Sequence, residues 1–112
     1  MPPETSSSEF IVVLTTCDSQ EAGERIASAL VEERLAACVN VVPGVRSCFR
    51  WQGELRQEHE CLVVVKSRAA RFPELSQRIR ELHSYDLPEI IALPVVGGSE
   101  DYLRWLAEAV AN

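Results

Sequence analysis

Two groups of residues in this 112-residue chain have side chains and spacings suited to chemistry. Glu60 and Lys66 flank the apolar run Cys61 to Val65, and His83, Tyr85 and Glu89 gather around Pro88. The loop around Pro88 is where binding groups tend to be held, and Glu60 and Lys66 each need a partner elsewhere or solvent. Being six residues apart on one strand, Glu60 and Lys66 point to the same face about 20 Å apart and cannot pair directly. Both also read as solvated edge charges. His83 reads as well as a helix-terminal donor to the last carbonyls. His59, next to Glu60, points the other way and reads as a surface residue.

The cysteines supply the second possible chemistry. Cys17, Cys38, Cys48 and Cys61 are separated by 21, 10 and 13 residues, with no CxxC pair and no Cys/His zinc spacing. Each lies in or beside an apolar segment, where a cysteine behaves first as a small buried side chain. A disulfide framework is not expected of a chain able to build its own core. A thiol and an imidazole together suit copper or zinc. Other chemistries lack their residues. There is no HExxH, no nucleophile elbow and no glycine-rich phosphate loop with its lysine. Gly44-Val45 and Phe49-Arg50 resemble the loop of an acylphosphatase, but three residues separate them instead of one, and they lie within a strand. The return strand of the central hairpin offers Leu62 to Val65, where an RNA-recognition domain would place stacking aromatics.

Those residues must be positioned by a scaffold, and the sequence outlines one. Residues 1–8, with two prolines and a serine run, read as a disordered lead-in, and 9–112 as a single domain. Phe10 to Leu14 reads as a buried strand running on into Thr15, Thr16 and Cys17. Asp18 and Glu21 have capping-box spacing ahead of an amphipathic helix, roughly Ser19 to Arg34, with Ile26, Ala27, Leu30 and Val31 on one side. Cys38 to Val42 and Val45 to Trp51 form a strand interrupted by Pro43-Gly44, which marks a bend or bulge. Gln52-Gly53 turns the chain into a return strand from Glu54 to Val65. In that register facing positions place Cys48 opposite Gln57 and Cys61 opposite Gly44, so the hairpin does not join those two thiols.

Pro73 and Glu74 open a second helix with Phe72, Leu75, Ile79 and Leu82 on one stripe. Glu89 to Val96 is a fourth strand, with Pro94 pointing to an edge or bulge. Ser99 caps a last helix carrying Leu103, Leu106 and Val110. The order is that of an α+β, ferredoxin-like βαββαβ domain with an extra C-terminal helix and a long central β-hairpin. The hairpin, Ala37 to Ser67, is longer than a compact sheet needs, so part of it projects with Phe49 and Trp51 near its tip. Exposed aromatics on a ribbon imply a covering partner, and Phe49 and Trp51 are expected at an oligomer interface.

Composition narrows the partners. Seventeen acidic against 11 basic residues give a net charge of -6, with no basic cluster. Nucleic-acid binding begins by neutralising phosphates, so that partner is not expected. The longest apolar run, Ile90 to Val96, is far short of the roughly 20 residues a membrane span requires. The N-terminus lacks a secretory signal, and a cytoplasmic location is expected.

Several pieces taken together resemble one family. They are Leu35 to Cys38 followed by Pro43, Trp51 and Gly53, Glu60, Lys66-Ser67, His83, Tyr85, Pro88-Glu89, Leu93 to Val95, and Tyr102, Leu103, Trp105 and Leu106. From about Phe10 to Ala109 the chain is similar to the CutA divalent-cation tolerance family. The resemblance implies a ferredoxin-like homotrimer with long hairpins pairing between neighbours, a link to copper or another divalent cation, and no catalysis. It also implies likeness in architecture to PII signalling proteins, and hence the alternative of a small-ligand sensor in which Glu60, Lys66, Tyr85 and Glu89 would line a pocket between subunits and recognise a small polar metabolite. Family members with a copper site carry a cysteine after the first apolar run and paired histidines before the Tyr-x-x-Pro-Glu motif. Here Thr15 and Leu82 stand at two of those places, leaving Cys17, Cys38, Glu60 and His83 as the candidate metal contacts.

Overall fold

Alternation of side chains sets the inner face of the sheet. In the computed structural model, which describes residues 9–111, strand β1 (Phe10–Cys17) buries Ile11, Val13, Thr15 and Cys17 and leaves the intervening residues half-covered. Strand β3 (Glu54–Arg68) does the same with Cys61, Val63, Val65 and Ser67. The two run antiparallel in register from Phe10 opposite Arg68 to Cys17 opposite Cys61. Strand β2 (Cys38–Trp51) borders β3, and the short β4 (Ile91–Pro94) borders β1, all antiparallel, giving the order β2-β3-β1-β4. The sequence-predicted lead-in, residues 1–8, lies outside the described residues.

Helices α1 (Gln20–Glu32) and α2 (Phe72–Leu82) supply the other half of the core: Ile26, Leu30, Leu75 and Ile79 are all buried with Val13, Val63 and Val65. Ser19, not Asp18, caps α1, its hydroxyl accepting from the Ala22 N–H at 3.1 Å. One residue decides this: Ser19 has the extended backbone of a cap, and its oxygen reaches the third residue onward. Pro73 stands in the first turn of α2 as expected, where its missing N–H leaves no hydrogen bond unmade. Helix α3 (Glu100–Ala109), capped by Ser99, places Leu106 against Ala37 and Val110 in a smaller cluster with Phe10. Arg34, in the left-handed region at φ 61°, ends the α1 segment and donates to the carbonyls of Glu108 and Ala109, tying α3 back to α1.

The hairpin follows the sequence closely. Gln52 and Gly53 both have positive φ, 50° and 82°, the two-residue turn whose twist matches a hairpin. Trp51 faces Glu54 and Cys48 faces Gln57. The register shifts between Val42 and Val45, with Gly44 at φ 78°, so Pro43-Gly44 is a bulge. The predicted register holds up to Val45 opposite Glu60, Cys61 then falls opposite Pro43-Gly44 within the bulge, and Leu62 faces Val42. Beyond Cys61 towards the tip, β3 pairs with β2 alone, and the segment from Val45 to Glu60 is a two-stranded arm. Strand β4 is shorter than the predicted Glu89 to Val96. Pro94 has no N–H to extend the ladder, although Val95 still donates to the Phe10 carbonyl at 3.0 Å. β4 is an edge strand, as Pro94 indicated.

Candidate functional site

The polar chemistry concentrates where β1 ends, at the base of the arm. Cys17 and Cys61 form the last pair of the β1–β3 ladder, and Glu60 is the next residue outward on β3. The segment after α2 folds over this end. Tyr85 donates its hydroxyl proton to Glu60 Oε2 at 2.8 Å. Glu60 Oε1 makes no hydrogen bond among the described residues. The Tyr85 phenol is pushed well above its ordinary value, first by burial and then by its hydrogen bond to Glu60, with Asp18 and Cys17 adding smaller effects of the same sign.

His83 holds this segment to the sheet. Its Nε2 lies 2.7 Å from the Thr16 carbonyl, while the Tyr85 backbone N–H donates to its Nδ1 at 3.1 Å. A backbone N–H can only donate, so Nδ1 accepts and the ring proton sits on Nε2, pointing at Thr16. The ring is thus neutral with both nitrogens engaged. Thr16 lies two residues past Leu14↔Ile91, the last β1–β4 pair, and His83 takes the place a longer β4 would have filled. The His83 and Tyr85 rings pack 4.7 Å apart.

The sequence-predicted residues divide between two ends of the sheet. Cys17, Glu60, His83 and Tyr85 come together. Cys38 lies opposite Lys66 at the far end of the β2–β3 ladder, where Lys66 Nζ donates to Asn40 Oδ1 at 2.6 Å. Within one chain, therefore, Cys38 is not beside the other metal candidates, and Lys66 is not beside the other pocket candidates. Glu89 is exposed just ahead of β4. Phe49 and Trp51 are exposed on the arm at 39% and 40%.

These donors do not compose a metal centre in a single chain. Among the described residues no three His, Cys, Asp or Glu side chains converge as a cation would require. Burial, with a smaller contribution from Cys61, pushes the Cys17 thiol up to about 11, and the His83 lone pair is occupied. Thr15 is wholly buried with an unpartnered hydroxyl.

Three features escaped the sequence reading. The facing of Cys17 and Cys61 depends on β1–β3 register, which no local signal reports. Gly23 in α1 lies above both: a Cβ there would sit 3.2 Å from Cys61 Sγ and 3.3 Å from Cys17 Sγ. A glycine in mid-helix costs about 1 kcal/mol against alanine, and close approach is its use here. The third is His83's bond to Thr16, signalled only by its place just before the Tyr85 loop.

Comparison with known proteins places the chain. Residues 11–109 match the model of the CutA1 divalent ion tolerance protein family. The divalent-cation tolerance protein CutA of Thermus thermophilus is 54% identical over 97 residues, covering 87% of this chain and 94% of that protein. The chloroplastic CutA protein of Arabidopsis thaliana is 43% identical over 91% of this chain, which spans 56% of the plant protein. Among solved structures, the Thermus protein superposes with a TM-score of 0.89 at 51% identity, covering 91% of this chain and 99% of the other. The structure described as the periplasmic divalent cation tolerance protein CutA of Archaeoglobus fulgidus gives 0.88 at 37% identity, covering 91% and 99%. These names place relatives in the chloroplast and the periplasm, so they do not support the cytoplasmic expectation. No helix among the described residues is long and apolar enough to cross a membrane. The four-stranded antiparallel sheet and three helices match these structures, and the chain belongs to the CutA1 divalent ion tolerance family.

Proposed function

We propose that the chain works as a non-enzymatic, ferredoxin-like homotrimer in divalent-cation tolerance, with its cation contacts shared between copies. The observation that carries this reading is the apolar surface an isolated chain leaves wet. Phe49, Trp51 and Leu55 lie exposed along the arm, Ile91 and Leu93 on the β4 edge, and Tyr102 and Trp105 on α3. A long ribbon and an open strand edge are the two features that pair readily with further strands. Copies joined through them would cover both.

Sharing also answers the failure of one chain to gather a full donor set. Glu60 keeps an unused carboxylate oxygen at the same end as Cys17 and His83, and His83 would ligate by giving up the bond its Nδ1 accepts from the Tyr85 N–H. Cys38, at the opposite end of its own sheet, takes part only if a neighbouring copy brings it there. Carboxylate, imidazole and thiol suit copper or zinc. The PII-like ligand pocket is not favoured within a chain, because Lys66 is held by Asn40 at the other end from Glu60 and Tyr85.

Sedimentation at micromolar concentration and calorimetry with Cu(II) and Zn(II) test the reading together. A trimer whose cation affinity falls at least tenfold in Glu60→Gln or His83→Ala is expected. A stable folded monomer refutes the assembly, and unchanged affinity in both variants removes this end of the sheet as a cation site.

A further inference from the structure

We propose that Cys17 and Cys61 are a redox pair that closes a cross-strand disulfide when met by a low-molecular-weight disulfide such as glutathione disulfide. The two residues face each other directly across the antiparallel β1–β3 ladder. Directly opposed antiparallel residues have Cα atoms about 4.5–5.5 Å apart, inside the range a disulfide spans. Both side chains lie on the inner face, 1% and 2% exposed, and both sulfurs crowd the same point beneath Gly23. The Cys17 thiol also reaches the Cys61 carbonyl at 3.8 Å. Both cysteines are free in this structure.

Charge decides between a disulfide and a two-coordinate soft cation on the same thiols. Two thiolates around a monovalent cation carry a net negative charge, here in a buried place with Asp18 and Glu60 the sequence neighbours of the two cysteines. A disulfide is neutral and places no charge there. The pair terminates its ladder, with the Asp18-Ser19 turn after one cysteine and the arm before the other. Local opening of that end exposes the pair to the oxidant and lifts the burial that holds the Cys17 proton.

The chemistry balances with one oxidant. One cysteine thiolate attacks a glutathione sulfur, breaking its S–S bond and releasing one glutathione thiolate. The second cysteine thiolate attacks the protein-bound sulfur of the mixed disulfide and releases the other. Two protein thiols are oxidised, one glutathione disulfide is reduced, and the two protons pass to the departing thiolates. The new bond ties Thr16, which holds His83, to the strand that carries Glu60, and removes the Cys17 thiol from any cation. This inference stands apart from the cation reading and does not need it.

The test uses the full chain with Cys38→Ser and Cys48→Ser, which removes the two less buried thiols. After incubation with glutathione disulfide, alkylation under denaturing conditions should find no free thiol. The intact mass should fall by about 2 Da and a peptide should join Cys17 to Cys61. Dithiothreitol should reverse all three, and the oxidised form should melt several degrees higher. In Cys61→Ala on the same background, a stable glutathione adduct on Cys17 is expected. The incubation is repeated in urea below the unfolding transition, so that slow access cannot conceal the bond. Two alkylatable thiols under both conditions, an adduct that does not resolve when both cysteines are present, or a bond joining separate chains would each overturn the proposal.

Discussion

Raising the pH should destabilise this protein through Cys17 by an amount the structure bounds. The thiol is moved from an ordinary 9.0 to about 11, chiefly by burial and secondarily by the neighbouring Cys61. The unfolded chain gives up this proton near pH 9 while the folded chain holds it. Stability from this group is therefore complete below pH 9 and is lost as pH rises towards 11. Two units correspond to about 2.7 kcal/mol as an upper limit. Asp18 and Ser19 in the adjoining turn are exposed, and solvent screening that close to the buried thiol reduces the expected loss to about 1–2 kcal/mol. Urea unfolding under reductant at pH of about 8 and about 10.5, at fixed protein concentration, measures it against Cys17→Ser, whose hydroxyl does not ionise. The difference between the two proteins isolates Cys17 from Tyr85, whose raised value acts in the same direction. If Cys17→Ser loses as much stability as the wild type between those pH values, burial of this thiol is not what holds its proton.

Three further outcomes follow from single contacts. Thr15→Val replaces an unpartnered buried hydroxyl with a methyl of nearly the same shape and should raise stability by about 1 kcal/mol in urea. Gly23→Ala gains about 1 kcal/mol of helix propensity but forces a Cβ to within 3.2–3.3 Å of Cys61, Val41 and Cys17. Overpacking there costs about 1–3 kcal/mol, so a net loss near 1 kcal/mol is expected, and a gain would show that the two sulfurs yield. Tyr85→Phe removes the hydroxyl that bonds Glu60 and should cost about 1–2 kcal/mol near neutral pH. An unchanged denaturation midpoint would mean that solvent replaces that bond without loss.

The fold was legible wherever a local rule acted alone. The apolar strand runs from Phe10 and from Cys61, the Gln52-Gly53 turn, the Pro73 helix start and the Pro94 edge each rest on neighbours in sequence, and each holds. The expectations that failed depended on a choice between close competitors. Asp18 and Ser19 can both cap, and the winner is set by which one has the extended backbone. The pairing of β2 ahead of Pro43 depends on a bulge whose offset the sequence does not state, and Val42 there faces Leu62. The site was legible in part for the same reason. Glu60, His83 and Tyr85 were picked out by their places around apolar runs, but that Tyr85 reaches back to Glu60 across 25 positions is a product of packing. Lys66 and Cys38 were grouped with them on residue type, which says nothing about the end of a strand on which a side chain lies.

That division bears on how such a site can work. A strand carries its two ends apart by its own length, so Glu60 and Lys66 on one β3 cannot meet, whatever loops surround them. Side chains from the two ends come together only if a second sheet brings its far end to this near one. The arm from Val45 to Glu60 is built for such a meeting. It leaves the sheet just beyond Cys61, has β2 as its sole ladder partner within the chain, and carries Phe49 and Trp51 outward past the site. A neighbour that ran along the arm from those rings to its base would reach Glu60 and Tyr85. Substituting the tip aromatics, far from any donor atom, should therefore weaken cation binding along with assembly, whereas Glu60→Gln should weaken binding and leave assembly intact.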